Sequence, residues 1–479
     1  MIKEHINMLK DSSIDAFEQA RLIKNGSLSV SELVESTIEK IEELNTSLNA
    51  VVTKSYELAR DAISKPLPDS PLAGIPVLIK NLTPVKGVRL TYGSLLFKDY
   101  IPDFDSEVVK RIKNAGMIVL GMTNSPELGL TCTTEPKLHG PTRNPWNTEY
   151  SSGGSSGGAG AAVASGMVSI AHGSDGGGSI RIPSSFCGVF GLKPTRGRVP
   201  GCNMVGLAIN HALTRSVRDS AAFLDVIDGY CVGDPYWSPP KQSPYIEEIS
   251  EKPEKLRMAL VTKTIQNTDL HTEVEKEVRK TAKLCSELGH TVEEVNVGEI
   301  FGIDYKRVID SFLNLWYTQA GSTLVRASMR AGVPPQREWV EDLTWGMYLR
   351  SKELSSTDYY LSQRVLEQLG RNLNRFMTNY DTVLLPTCPD PPFKLGEVNP
   401  TFDEPMKNFD KVVRVCSFTG LSNAAGNPAM SVPMGMSSKG LPIGTQFIGR
   451  FGDEATLFRL AAQLEKTKPW PHIARAAPN

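Results

Sequence analysis

The sequence contains no long uncharged apolar run and no block of basic residues. The first absence excludes a membrane-spanning helix, and residues 1–17 carry charged side chains where a secretory signal would need an apolar centre. The second argues against nucleic acid or an anionic membrane as a partner, because 52 basic residues nearly balance 53 acidic ones. We therefore expect a cytoplasmic protein of 479 residues whose partner is a small neutral molecule.

The cysteines also lack the spacing of a metal site or a disulfide framework. Their number is odd, they are scattered along the chain, and no two of them form a C-x-x-C pair. This pattern predicts reduced, mostly buried thiols. The cysteines are Cys132, Cys187, Cys202, Cys231, Cys285, Cys388 and Cys416.

Short apolar runs alternate with helical patterns in the first third of the chain. A capping-box pattern from Ser29 to Glu32 precedes apolar residues at helical spacing and predicts a helix over residues 30–45. The alternation predicts an α/β fold with a mixed sheet covered by helices on both faces, and it excludes an all-β fold. The segments that alternate are strands at 75–79, 117–120 and 168–171, and helices at 106–114 and 156–165.

The second half of the chain continues this pattern after a Pro-rich and charged surface connection at residues 233–256. We predict a single domain, with an N-terminal helical segment at about 1–65, a core at about 66–230 and 380–479, and a variable pocket region at about 231–380. The predicted elements are helices at 307–331, 357–378 and 454–465, and a strand at 382–385. The aromatic residues of the variable region indicate either an apolar pocket or a core, and we expect most of them in the core. They are Trp237, Tyr305, Phe312, Trp316, Tyr317, Trp345 and Tyr348.

The stretch SSGGSSGGAGAAVASG at residues 151–166 has the composition of a flexible linker. After Gly158, however, it continues with alanines, which are good helix formers, and it ends at a glycine suited to follow a helix. We therefore place its serines and glycines at the N-terminus of a helix. A nucleotide-binding loop is disfavoured, because no apolar strand precedes the stretch and the third glycine of the dinucleotide pattern is missing.

A second unusual stretch begins as an apolar strand and runs into Asp175, three glycines and Ser179. The backbone N–H groups of Gly176, Gly177 and Gly178 can approach a ligand without side chains in the way. An oxyanion hole requires such N–H donors, which bind the carbonyl oxygen as it becomes negative, and the adjacent Ser179 hydroxyl could be the nucleophile. The alternative interpretation is a glycine-rich turn at a strand end with an incidental serine.

A serine nucleophile needs a base, and the sequence offers histidines and one lysine. His172 lies in the strand before Ser179, which would carry it away from the hydroxyl, so we interpret it as a packed histidine. Lys80 ends the apolar run at residues 72–79, where burial would lower its pKa and leave a neutral amine that accepts a proton. A lysine that extends from a strand end to solvent remains the alternative. No acidic partner is recognisable for His139, His211 or His290.

Eight motifs together resemble the amidase signature enzymes, serine hydrolases of C–N bonds that use a Ser-Ser-Lys triad. Each motif alone is weak, but their order and spacing are specific and extend over nearly the whole chain. The motifs are GIPVLIK at 74–80, GMTNSPE at 121–127, RNPW at 143–146, GGSSGG at 153–158, DGGGSIRIP at 175–183, GLKPTRG at 191–197, NPAMSVP at 427–433 and GTQ at 444–446.

The resemblance implies a role for each matching residue. Ser179 would be the nucleophile, Lys80 the general base and acid, and Ser155 the bridge between them, after a cis peptide bond from Gly154. The N–H groups of Gly176, Gly177 and Gly178, together with that of Ser179 itself, would hold the oxyanion. The resemblance makes Asp175 and Arg181 structural supports, and it implies no metal, no cofactor and a possible homodimer.

Within the family, the segment TTEPKLHGP at 133–141 and the region around the nucleophile are most similar to bacterial hydrolases of 6-aminohexanoate cyclic dimer. We expect an amidohydrolase of a linear or cyclic carboxamide. One alternative is the amidase component of a glutamine-dependent tRNA amidotransferase, although Ile182 stands where those proteins commonly carry glutamine. Another is a catalytically silent binding protein, which would be expected to have lost a triad residue.

Overall fold

A sheet of eleven strands runs through the computed structural model, which describes residues 14–201, 206–266, 268–471 and 473–474. In chain order the described strands are β1 Val51–Lys54, β2 Pro76–Lys80, β3 Ile118–Thr123, β4 Arg143–Asn144, β5 Asn147–Ser151, β6 Ile170–Asp175, β7 Phe190–Lys193, β8 Ile209–Thr214, β9 Arg257–Leu260, β10 Thr291–Glu294, β11 Thr382–Pro386, β12 Ala429–Met436 and β13 Pro442–Gly449. The order in the sheet is β1-β3-β2-β6-β8-β7-β12-β13-β11-β9-β10, and β4 pairs with β5 in a separate hairpin. The sheet is mixed, because β3, β2 and β6 are parallel neighbours, as are β11, β9 and β10, whereas the other neighbours are antiparallel.

Sixteen α-helices lie in the described part of the chain, and none of them has the length and apolar character needed to cross a membrane. They are α1 Ala16–Lys24, α2 Val30–Leu48, α3 Tyr56–Ile63, α4 Glu107–Asn114, α5 Gly157–Ala164, α6 Arg181–Cys187, α7 Val217–Ile227, α8 Tyr245–Glu248, α9 Thr272–Glu287, α10 Val297–Phe301, α11 Tyr305–Ala331, α12 Asp342–Glu353, α13 Ser356–Phe376, α14 Phe409–Val415, α15 Thr419–Ala425 and α16 Glu454–Thr467.

Helices cover both faces of the sheet, as the alternating pattern predicts. In β2, Val77 and Ile79 pack into one hydrophobic cluster with helices that include α7 and α16, while Leu78 packs into a second cluster with α2 and α5. Successive side chains of a strand point to opposite faces, so both faces of β2 are buried. Further along the sheet, Val383 and Leu385 of β11 pack into a third cluster with α11 and α13.

Most of the predicted elements are present with shifts of a few residues at their ends. The predicted helix at 30–45 is α2, and its capping box is confirmed: the Ser29 side chain accepts the N–H of Glu32, whose carboxylate accepts the N–H of Ser29. The Pro-rich connection at 233–256 is irregular apart from the short helix α8. Six free cysteines lie in the described residues and four are buried, as predicted; Cys202 lies outside those residues.

The prediction for the aromatic residues of the variable region is wrong for most of them. Of these seven side chains only Trp316 is buried, whereas Trp237 and Tyr305 are exposed and the other four are half-buried. One face of α11, which carries Phe312 and Trp316, borders a cavity.

Candidate active site

The predicted site residues come together at one edge of the sheet. Lys80 is the last residue of β2 and Asp175 is the last residue of β6. These strands are parallel neighbours, so both residues lie at the same carboxyl edge. Ser155 and Ser179 lie just before α5 and α6, which begin beside that edge, and the Ser156 N–H donates to the Ser179 carbonyl at 3.2 Å.

Lys80 is fully buried and reaches three oxygen atoms. Its Nζ lies 2.8 Å from the Oγ of Ser155, and 3.1 Å from both the carbonyl oxygen and the Oγ of Ser174. Burial lowers the pKa of Lys80 to about 7, against the opposing charge of Asp175, which raises it. A substantial fraction of this amine is therefore neutral near pH 7, as predicted from the apolar run before it.

The Gly/Ser stretch is a packed loop and not a linker. All of residues 151–166 are buried except Ser165. The peptide bond between Gly154 and Ser155 is cis, as the resemblance implies. Gly154 also has no room for a side chain, since a Cβ there would lie 2.7 Å from the backbone nitrogen of Thr133. Glycine at this position therefore allows the close backbone approach that holds Ser155 near Lys80.

Asp175 and Arg181 form a fully buried ion pair behind the loop at 176–180, which carries the predicted nucleophile Ser179. Their contacts join Nη2 to Oδ1 at 2.8 Å and Nε to Oδ2 at 2.9 Å. Burial opposes ionisation of Asp175, but the Arg181 guanidinium outweighs it and holds the pKa of that carboxyl well below its usual range. The carboxylate also accepts the N–H groups of Gly178 and Ile180, at 2.8 and 3.0 Å. Arg181 donates further to Ser422, Asn423 and Gln446.

One part of the predicted oxyanion hole is wrong. The Gly178 N–H points to the Asp175 carboxylate, so it is not available to a substrate oxygen. Gly178 has a φ of 136°, and a Cβ there would lie 2.3 Å from Thr419 Oγ1, so its glycine is required for packing. Gly176, Gly177 and Ser179 remain the predicted N–H donors. The Gly177 carbonyl accepts a hydrogen bond from Thr419 Oγ1 at 2.6 Å.

The four histidines considered as candidate bases are held by contacts within the fold. His172 is buried beside Lys80, whose N–H donates to His172 Nδ1 at 3.4 Å, and burial lowers the pKa of this histidine to about 3. The interpretation of His172 as a packed histidine is confirmed. Each of the other three histidines also contacts a neighbouring group of the protein. His139 contacts Thr91, His211 contacts the Ala212 carbonyl, and His290 contacts Gln463.

Ser179 opens into a cavity whose walls the sequence did not identify. Gly177, Gly154 and Leu130 form the wall on the side of the sheet edge. Further lining comes from α11, α14 and α15, including Phe312, Trp316, Val412 and Leu421. Ser174 was not predicted as a site residue, although its position directly before Asp175 could have indicated it. The aromatic residues of α11 were compatible with either a pocket or a core, because only packing distinguishes a cavity wall from a core face.

Comparisons with known proteins show similarity to amidases over most of the chain. A sequence model of the amidase family matches residues 32–458. The 6-aminohexanoate-cyclic-dimer hydrolase of a Pseudomonas strain is 36% identical over 473 residues, which cover 95% of each chain. A glutamyl-tRNA(Gln) amidotransferase component from Exiguobacterium sibiricum is 33% identical, over 93% of this chain and 95% of that one.

A solved structure of 6-aminohexanoate cyclic dimer hydrolase matches the fold with a TM-score of 0.91 at 35% identity, covering 97% of this chain and 99% of the other. The expected fold and the family resemblance are thereby confirmed. The chain belongs to the amidase family, the amidase signature enzymes, whose members hydrolyse amide C–N bonds.

Proposed function

We propose that this chain cleaves the C–N bond of a linear or cyclic carboxamide through an acyl-enzyme on Ser179, with Ser155 and Lys80 as its proton relay. The observation that carries the proposal is the 2.8 Å contact between Lys80 Nζ and Ser155 Oγ in a fully buried position. Because the pKa of Lys80 is lowered to about 7, its amine can accept a proton at neutral pH.

In the first half-reaction, neutral Lys80 takes the proton of Ser155 while Ser155 takes that of Ser179. The Ser179 oxygen attacks the amide carbonyl, and the N–H groups of Gly176, Gly177 and Ser179 stabilise the negative oxygen. The relay then returns a proton to the leaving nitrogen, the C–N bond breaks, and the amine departs. Asp175 and Arg181 take no part in proton transfer. Their role is to hold the loop that carries Ser179 in place.

In the second half-reaction, water replaces the amine. The same relay removes a proton from the water, which attacks the ester carbonyl of the acyl-enzyme. Collapse of the tetrahedral intermediate releases the carboxylic acid and returns the proton to Ser179. The two halves together consume one amide and one water and release one acid and one amine.

The similarity to 6-aminohexanoate-cyclic-dimer hydrolase supports a cyclic or linear amide as the substrate. The amidase component of a tRNA amidotransferase remains the alternative, since such a protein is 33% identical to the chain. Co-purification of partner proteins, or hydrolysis restricted to glutamine, would favour that alternative. A cytoplasmic location and a homodimer stay part of the proposal.

The experiment is active-site labelling with a fluorophosphonate, which forms a stable adduct with an activated serine. We expect one adduct on the peptide that contains Ser179, and we expect Ser179→Ala to lose labelling and to lose amide hydrolysis by about 10⁴-fold or more. Ser165→Ala, at the far end of α5, is the matched control and should label like the wild type. An adduct on another serine would contradict the assignment.

A further inference from the structure

We infer that the cavity in front of Ser179 selects uncharged amides with apolar substituents, and that Phe312 sets the size of the group it admits. The inference rests on the proposed function, because it concerns the substrate of the same serine. It goes further by naming a substrate class and one residue that determines specificity.

The lining of the cavity carries no formal charge. In the part of the chain that the structure describes, no Asp, Glu, Lys, Arg or His side chain lines it. Its polar side chains include Thr131, Gln266 and Ser417, and most of the rest of the wall is apolar. An ammonium or carboxylate that entered would lose its hydration and gain no partner of opposite charge.

The charges behind the nucleophile loop do not change this conclusion. Asp175 and Arg181 are fully buried and bind each other. Every further donor contact of Arg181 goes to the protein side chains named above. Lys80 lies behind Ser155 and is fully buried too. Neither cation is therefore placed to hold a substrate carboxylate in the cavity, so free glutamine is a poor fit.

Phe312 forms a firm part of the wall beside the nucleophile. A Cβ on Gly177 would lie 3.3 Å from its Cζ, and a Cβ on Gly420 would lie 3.7 Å from its Cε2. The ring therefore sits against two backbones that have no side chains. It also stacks on Trp316, with ring centroids 5.6 Å apart and planes at 21°.

Trp316 in turn is held from the other side of the cavity. Its Nε1 donates to the Leu130 carbonyl at 3.1 Å, and its side chain is buried. The stacked pair consequently joins α11 to the loop that carries Leu130. Because Phe312 is confined by Trp316, Gly177 and Gly420, it cannot turn aside easily, and a wider substrate must displace it.

The charge selection is tested with amides of similar length that differ at the far end: heptanamide, 6-aminohexanamide and adipamate. We expect kcat/KM for heptanamide to exceed that for either charged amide by at least about 30-fold. Ser179-dependent hydrolysis with equal or higher kcat/KM for a charged amide would overturn the inference. Absence of hydrolysis of all amides, or hydrolysis that survives Ser179→Ala, would instead contradict the proposed function.

The size selection is tested by the ratio of kcat/KM for adamantane-1-carboxamide over hexanamide. We expect this ratio to rise about tenfold in Phe312→Ala and by less in Phe312→Leu. Val325→Ala, at an exposed position of the same helix, is the matched control and should leave the ratio unchanged. An unchanged ratio in a folded Phe312→Ala protein, or in Phe312→Leu if the alanine variant does not fold, would overturn the role of Phe312.

Discussion

The Nζ of Lys80 lies 2.8 Å from the Oγ of Ser155, although the two residues are 75 positions apart in the chain. One arrives at the end of a buried strand and the other from a glycine-rich loop before a helix. The same burial that brings the two atoms together also lowers the pKa of the amine to about 7. Geometry and proton affinity thus have one physical cause at this site.

The first prediction concerns the pH dependence of hydrolysis. The relay needs neutral Lys80, whose pKa is about 7, so kcat/KM should rise with pH through about 7 and level off above it. Lys80→Ala should lower kcat/KM by about 10³-fold at pH 7, with residual activity that rises with hydroxide. Steady-state kinetics from pH 5 to 10 provide the measurement.

A second buried lysine provides the control for that experiment. Lys193 in β7 also has a pKa lowered to about 7, mainly by burial and then by Arg181, and its Nζ donates to the Pro194 carbonyl at 2.7 Å. Lys193→Met should keep the midpoint of the pH profile. If this variant moves the midpoint while Lys80→Ala does not, the general base has been assigned to the wrong lysine.

The second prediction concerns Ser174 as a positioning residue for Lys80. A neutral amine has two hydrogens and one lone pair, and the two Ser174 oxygens, each 3.1 Å away, can accept the hydrogens while the lone pair faces Ser155. Ser174→Ala removes one acceptor that stabilises the ammonium form. The midpoint of the kcat/KM profile should therefore move to lower pH by about one unit, with a reduced plateau. Ser174→Thr keeps a hydroxyl and should keep the midpoint; a shift to higher pH in Ser174→Ala would refute this role.

The third prediction concerns the ion pair that holds the nucleophile loop. Arg181→Leu leaves the Asp175 carboxylate buried without its partner, so the free energy of unfolding should fall by about 3–5 kcal/mol. Urea unfolding followed by circular dichroism measures the loss. The exposed pair of Arg21 with Glu18 is the comparison, and Arg21→Ala should change stability little. If both variants lower the free energy of unfolding equally, the buried pair contributes no more to stability than the exposed one, and the prediction is wrong.

The fourth prediction concerns two glutamates in contact with each other. Glu127 follows β3, and Glu341 directly precedes α12. Glu127 Oε2 accepts the Glu341 N–H at 2.7 Å, and Glu341 Oε1 accepts the Lys137 N–H at 2.6 Å. Burial raises the pKa of both carboxyls, and with the Glu127 charge it raises the pKa of Glu341 to about 8. Glu341 therefore binds more protons in the folded protein than in the unfolded chain between about pH 4.5 and 8.

Stability from protonated Glu341 is therefore fully present below pH 4.5 and is lost as pH rises to about 8, with a slope of up to ~1.4 kcal/mol per pH unit. Glu341→Gln should flatten the fall in urea-unfolding free energy over that range. Glu338→Gln, at an exposed position nearby, should not. A slope that is identical in wild type and Glu341→Gln would contradict the raised pKa.

Local patterns were sufficient to predict most elements and the candidate residues. The capping box at Ser29 and the apolar run before Lys80 act over a few residues, so neighbouring side chains determine the helix and the strand there. The order of the eight motifs also identified the family. Both kinds of information lie along the chain and need no knowledge of packing.

Packing decided the rest of the site. Gly178 looks equivalent to Gly176 and Gly177 in the sequence, yet its N–H is taken by Asp175 once the loop folds. Phe312 looks like a core residue of a helix, yet it borders a cavity against Gly177. Neither contact follows from spacing, because each joins groups whose relative placement depends on the whole sheet.

By itself, the sequence determined the helices, the strands, the family and the serines and lysine that we propose as the triad, since these depend on residue type and short-range order. Tertiary structure alone decided how far Lys80 is desolvated, which glycine N–H groups stay free and what surrounds Ser179. The physical reason is that desolvation, hydrogen-bond pairing and cavity shape arise between segments far apart in the chain, such as β2, α6 and α11.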